Sequence, residues 1–226
     1  MELILIALAP VLIILFYVYL RDKYEREPIG LLLLSLLAGG LITMPVIFIE
    51  VLLQKVGAGF QSSSARTIWY AFVVAGGTEE IFKFMALFIL IWANRNFNEK
   101  FDGIVYAVFI SLGFALVENI AYVIIGGVEV GLVRALTAVP AHALFGVVMG
   151  YYIGLARFME GERTIYIVRA LLWPIILHGF YDYCLMSGMP LLMLLFIPFI
   201  IYLWISGFKK MKEISDNSRF RTLKDE

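Results

Sequence analysis

The chain has 226 residues, 62% of them hydrophobic and 16% charged, with eighteen basic and eighteen acidic side chains. Soluble domains are roughly 45–50% apolar, so this composition describes a membrane protein and excludes an ordinary soluble globule. A net charge of zero gives no reason to expect a nucleic-acid partner, and the single cysteine, Cys184, excludes an internal disulfide or a thiolate metal cluster.

Windows of roughly twenty residues, enough to cross a ~30 Å hydrocarbon core, predict seven spans. They run from Glu2 to Leu20, Ile29 to Leu53, Thr67 to Ala93, Gly103 to Ile125, Val133 to Ala156, Thr164 to Met186 and Met189 to Phe208. Lipid cannot satisfy exposed backbone groups, and the apolar runs are too long for barrel strands, so all seven are expected to be helices. The first span lacks a basic leader and is followed by basic residues, which suits a retained signal anchor. Among the connections, Arg21, Lys23, Arg26, Arg95, Lys100, Arg157, Arg163 and the six basic residues after Phe208 fall on one side. Only Lys55 and Arg66 fall on the other. The positive-inside rule therefore predicts an outer N-terminus and a cytoplasmic C-terminus. The expected organisation is one transmembrane domain, 1–208, and a basic cytoplasmic tail, 209–226, mobile from about Ser215.

Against this background the charges within the spans stand out. A central charge costs about 2.5–3.5 kcal/mol on insertion scales, so such groups are expected to be paired or to face a cavity. The third span carries "GGTEEIFKF", with Glu79, Glu80 and Lys83. Lys83 lies at i+4 from Glu79 and i+3 from Glu80, and one ammonium cannot neutralise two carboxylates. The acid left over is suited to exchanging protons with water. Gly76 and Gly77 just before the pair allow a close backbone approach or a local break in the helix.

Depth along the spans brings further groups to the same level. Glu79 and Glu80 fall near the middle of the third span, Glu118 three-quarters along the fourth and His142 about ten residues into the fifth. His178 lies past the midpoint of the sixth, with Asp182 on the same face at i+4, where it can orient the imidazole. These positions form one band between the midplane and the outer third, expected to converge on an outward-opening cavity. Pro174 is expected to weaken the sixth span one turn before His178. Arg134, Arg169 and Glu50 read as interfacial, the arginines snorkelling to headgroups.

The motifs "EEIFK", "FDGIVYA", "GFALVEN", "VRALTAVPAHALFGVVMG" and "LHGFYD", in this order and spacing, closely resemble the PrsW family of bacterial membrane proteases over nearly the whole chain. That resemblance implies an intramembrane protease of the bacterial cytoplasmic membrane. It would make the first, extracytoplasmic-side cut in a single-pass anti-sigma factor, so that an extracytoplasmic-function sigma factor is released under envelope stress. The family's motif layout is similar to that of type II CAAX prenyl proteases, Abi proteins and the Aph-1 subunit of γ-secretase. The CAAX enzymes carry EExxxR, FxxxH and HxxxN or HxxxD. Here Lys83 stands one position before the arginine, and Glu118 follows Phe114 where that pattern has histidine.

The mechanism expected from these residues is peptide hydrolysis by a glutamate-activated water. Glu79 is the general base, Glu80 and Lys83 position it, and Glu118 or His142 completes the water site. His178, with Asn119 or Asp182, polarises the scissile carbonyl. No cofactor is expected, although Glu79, Glu80, Glu118, His142 and His178 are adequate Zn²⁺ ligands. Two other classes remain: a proton-coupled transporter and a non-catalytic, Aph-1-like scaffold that binds transmembrane helices.

Overall fold

A computed structural model of the chain describes residues 2–218 and 220–221. Its helices are α1 (Glu2–Arg21), α2 (Ile29–Ala58), α3 (Ser63–Ile68), α4 (Gly76–Ile91), α5 (Lys100–Leu136), α6 (Ala138–Phe158), α7 (Arg163–Met186) and α8 (Pro190–Asp216). A π-helical segment, Trp69–Ala75, joins α3 to α4. No strand occurs among the described residues. Five segments have the length and apolarity to cross a membrane: Glu2–Arg21, Ile29–Ala58, Lys100–Phe158, Glu160–Met186 and Pro190–Asp216. The Lys100–Phe158 segment contains two of the predicted spans. The predicted third span is a helical rod of three successive pieces, α3, the π segment and α4.

Helix α5 is the centre of the bundle and packs against α1, α2, α4, α6 and α8. Residues 101–115 are buried without interruption, as expected of a helix that is apolar on every face. Lipid offers no hydrophobic drive for helices to associate, so close backbone packing takes its place. A Cβ on Gly39 of α2 would lie 2.0 Å from the Ile110 carbonyl oxygen, and one on Gly113 of α5 would lie 2.0 Å from that of Leu36. The two helices therefore touch backbone to backbone.

Three features depart from the predicted spans. The connection "GGVEVGL" is helical: α5 bends at Gly127, whose φ of 74° favours glycine, and continues to Leu136. The residues beyond the bend bring Arg134 back over the bundle instead of leaving it at the interface. At the other terminus α8 runs eight residues past Phe208. Ser215 is buried and the Ser218 hydroxyl donates to Glu99, so the tail expected to be free from Ser215 is docked there. Residues 219 and 222–226 of that tail lie outside the described residues.

The end of the bundle that carries most basic residues also holds buried acids. Asp102 caps α5 reciprocally with Glu99, accepting the Glu99 and Asn98 amides at 2.7 and 2.8 Å. Asp22 and Glu27, in the connection between α1 and α2, lie beside it. Burial, with the negative charges of Asp102, Glu99 and Glu25, pushes Asp22 up to about 8. Burial also pushes Glu27 up to about 7.

Placing a side chain at the α2–α5 contact tests the packing. Gly39→Val is expected to destabilise the protein by about 1–3 kcal/mol, read as a lower melting temperature in detergent. Gly30→Val, where nothing lies within 4 Å of an added Cβ, is the control expected to change it by less than about 1 kcal/mol.

Candidate active site

The site begins with the irregular segment. The Trp69 indole donates to the Leu53 carbonyl at 2.9 Å, and the Tyr70 hydroxyl to the Gln54 carbonyl at 3.4 Å, so the entry to the π segment is tied to α2. Its exit is marked by the Thr78 hydroxyl, which donates to the Val73 carbonyl at 3.2 Å. A π segment holds more residues per turn than an α-helix and changes the face presented by everything after it. Gly76 then lets α7 approach: an added Cβ would lie 2.9 Å from the Gly179 amide nitrogen and 3.1 Å from the Ile175 carbonyl oxygen. Both structural uses expected of this glycine pair, a break and a close approach, occur here.

With α4 in this register, Glu79, Glu80 and Lys83 all point inward, with relative exposures of 5%, 0% and 0%. Lys83 Nζ lies 2.9 Å from Glu79 Oε2, 2.8 Å from Glu80 Oε1 and 3.1 Å from His142 Nδ1. One ammonium thus bridges both carboxylates, and its other side rests 4.3 Å from the centre of the Phe114 ring. His178 Nδ1 lies 2.9 Å from Glu80 Oε1 and its Nε2 is 3.5 Å from Asp182 Oδ2. Phe145 stacks on the His178 ring at 4.9 Å and fixes its plane. Glu118 Oε2 holds His142 Nε2 at 2.9 Å and Arg134 Nη2 at 2.9 Å.

The predicted band therefore converges: Glu79, Glu80, Glu118, His142, His178, Lys83 and Asp182 form one connected polar network from α4, α5, α6 and α7. Asn119 does not belong with His178. It is fully buried, its amide donates to the Ala7 carbonyl at 3.0 Å, and its Oδ1 accepts from Arg134 Nε at 2.9 Å. Its donor group is committed to α1, so of the two expected partners of His178 only Asp182 is adjacent. Arg134, expected to snorkel, instead pairs with Glu118. Glu50, expected at the interface, lines the cavity.

That cavity has a volume of about 510 Å³. Glu79, Glu118, His142, His178 and Asp182 line it, together with Glu50, Gln54, Tyr70, Arg134 and Tyr181. Glu80 and Lys83 lie behind its wall. Glu50, Arg134 and Asp182 are near helix ends remote from most of the basic connections, so the cavity opens at that end of the bundle.

The model of the family described as PrsW family intramembrane metalloprotease matches residues 27–205. The chain belongs to the PrsW family. Curated PrsW relatives extend along nearly its full length. Protease PrsW of Bacillus subtilis (strain 168) is 38% identical over 91% of this chain and 92% of the relative. Protease PrsW of Clostridioides difficile (strain 630) is 36% identical over 97% and 94%, and that of Geobacillus kaustophilus (strain HTA426) is 37% identical over 96% and 94%. No solved structure matches the chain. As a PrsW family member it is a membrane-embedded protease, and the buried network is its candidate catalytic centre.

The PrsW description names a metal, and the residues present fit one. Glu79, Glu80, His142 and His178 each offer a ligand atom within 4.8 Å of the others, and Glu80 Oε2 is buried with no hydrogen-bond partner. Two imidazoles with carboxylates suit Zn²⁺. Glu118, also considered from the sequence, falls outside this group and supports His142 instead.

The Arg134–Glu118 pair gives a direct test of how the network is held. Arg134→Met leaves Glu118 without its cation and is expected to cost roughly 1–3 kcal/mol of stability. Adding Glu118→Gln should recover part of that loss in a double-mutant cycle read by thermal unfolding.

Proposed function

We propose that the protein hydrolyses a peptide bond of a single-pass membrane protein, of the anti-sigma factor class, with a water activated by Glu79. One observation carries this reading: of the two adjacent carboxylates, only Glu79 lines the cavity, while Glu80 lies behind it bonded to Lys83 and His178. Lys83 holds Glu79 through Oε2, and Oε1 has no hydrogen-bond partner among the described residues. Glu79 Oε1 takes a proton from a cavity water as the water oxygen attacks the scissile carbonyl carbon. His178 Nε2, whose present neighbour Asp182 is 3.5 Å away, donates to the developing oxyanion. Glu79 then passes its proton to the leaving amine as the C–N bond breaks. His142, fixed between Lys83 and Glu118, borders the water position, and Glu118 acts through it.

The family resemblance supports the anti-sigma substrate, and a cavity that opens away from most basic connections fits it. By that resemblance, a cut on the outer side of the membrane would start sigma-factor release. A bound Zn²⁺ held by Glu79, Glu80, His142 and His178 would polarise the carbonyl and lower the pKa of the attacking water. Lys83 Nζ stands among three of these four residues, and this favours the metal-free arrangement.

Glu79→Gln is expected to reduce cleavage of a co-reconstituted single-pass anti-sigma protein by about 10²–10⁴-fold in protein that still inserts and folds; wild-type cleavage by this variant would remove the assignment. Cleavage by purified wild type is expected to persist after strong chelation. Loss on chelation with recovery on adding Zn²⁺, accompanied by stoichiometric zinc in the purified protein, would transfer water activation to a metal.

A further inference from the structure

The buried acids at the basic end of the bundle are remote from the catalytic network. Asp102 lies sixteen residues before Glu118, about 24 Å along α5. Glu25, Glu27 and Asp102 each offer a carboxylate oxygen within 4.8 Å of the others'. Glu27 is 2% exposed and Asp102 0%. Each carboxylate is held by a donor at one oxygen only, and Glu27 and Asp102 also lie within hydrogen-bond reach of each other, a contact that needs a proton between them or a cation in its place. Asp102 Oδ2 accepts the Asn98 and Glu99 amides, and Oδ1 has no partner. Glu27 Oε2 accepts the Tyr106 hydroxyl, and Oε1 has none. Glu25 Oε1 accepts from Asn98 Nδ2 at 3.4 Å, and Oε2 has none. The adjacent Asp22 repeats the pattern, with Oδ2 on the Glu27 amide and Oδ1 bare. The Asn98 side-chain oxygen is also buried without a partner.

Buried polar oxygens are ordinarily satisfied, and several orphaned ones in one place mean that something else satisfies them. Donors that hold one oxygen of each carboxylate and leave the other free are the outer support that metal ligands usually have. The spread of the ligand atoms also suits a cation. Oxygens on opposite sides of Ca²⁺ are about 4.6–5.2 Å apart, and on opposite sides of Mg²⁺ about 4.0–4.2 Å.

We propose that Glu25, Glu27 and Asp102 form a second site, at the end of the bundle opposite the catalytic cavity, for a hard divalent cation of the Mg²⁺, Ca²⁺ or Mn²⁺ class. An all-oxygen donor set selects such ions over zinc, copper or iron. The cation ties the α1–α2 connection to the first turn of α5, the helix that carries Glu118. Its effect is on the placement of helices, and it takes no part in the hydrolysis. The site does not depend on how the catalytic water is activated.

The test uses the full chain, purified in detergent, stripped with chelator and titrated with Mn²⁺ while electron paramagnetic resonance follows the free ion. Wild type and a His142→Ala/His178→Ala variant are both expected to bind one Mn²⁺ per chain. Glu27→Gln is expected to weaken binding by about tenfold or more, as is Glu25→Gln, whose side chain is only half-buried and whose folding is less at risk. Added Mg²⁺ or Ca²⁺ should raise the melting temperature of wild type and leave that of Glu25→Gln unmoved. Absence of Mn²⁺ binding by wild type would overturn the proposal. Undiminished binding by Glu25→Gln, or loss confined to the histidine variant, would also overturn it.

Discussion

The ammonium of Lys83 is the interaction on which the site depends. It is buried completely, touches both carboxylates of the Glu79–Glu80 pair and reaches His142 on α6. Removing either sign of charge from such a cluster leaves the other unpaired in low dielectric, the costly case for buried ions. The network is thus held by mutual need: each member is tolerable inside the bundle because the others are there. It also separates the two glutamates by position, since the lysine and His178 hold Glu80 behind the wall and leave Glu79 facing the cavity.

Backbone contacts set the positions that the charges occupy. The Gly76–Gly179 approach brings α4 and α7 together where Glu80 meets His178, and the α2–α5 contact fixes the helix that carries Glu118. Without a hydrophobic drive between helices in lipid, small residues let packing and polar bonding take over. The bend at Gly127 serves the same end differently, folding the last turns of α5 back so that Arg134 reaches Glu118.

Much of this was legible in the sequence because hydropathy and depth need only one dimension. Five of the seven predicted spans correspond to single helices, and the depth of Glu79, Glu118, His142 and His178 anticipated their convergence. What was not legible depends on rotation and on return paths. Nothing in a hydropathy window marks the π segment or the bend at Gly127, so Arg134 and Glu50 read as interfacial. Asn119 follows Glu118 directly, and adjacent residues on a helix face different ways; expected as a partner of His178, it is turned to α1. The acids of "RDKYEREP" were obscured by the basic residues between them, which served to orient the chain. Only the fold shows that Glu25 and Glu27 meet Asp102.

The seven π-helical residues before Gly76 have a consequence for how this segment tolerates change in length. A π segment holds an extra residue, so the loss of one from Trp69–Ala75 is absorbed by return to an ordinary helix. Each residue of the regular turn that follows, by contrast, rotates the chain by about 100°, and losing one from Gly76–Thr78 would swing the Glu79–Lys83 face away from the bundle interior toward hydrocarbon. The shortened segment would remain as greasy and nearly as long. Its suitability for insertion would survive while its chemistry was lost, and phase, more than length, is the quantity that this stretch has to conserve.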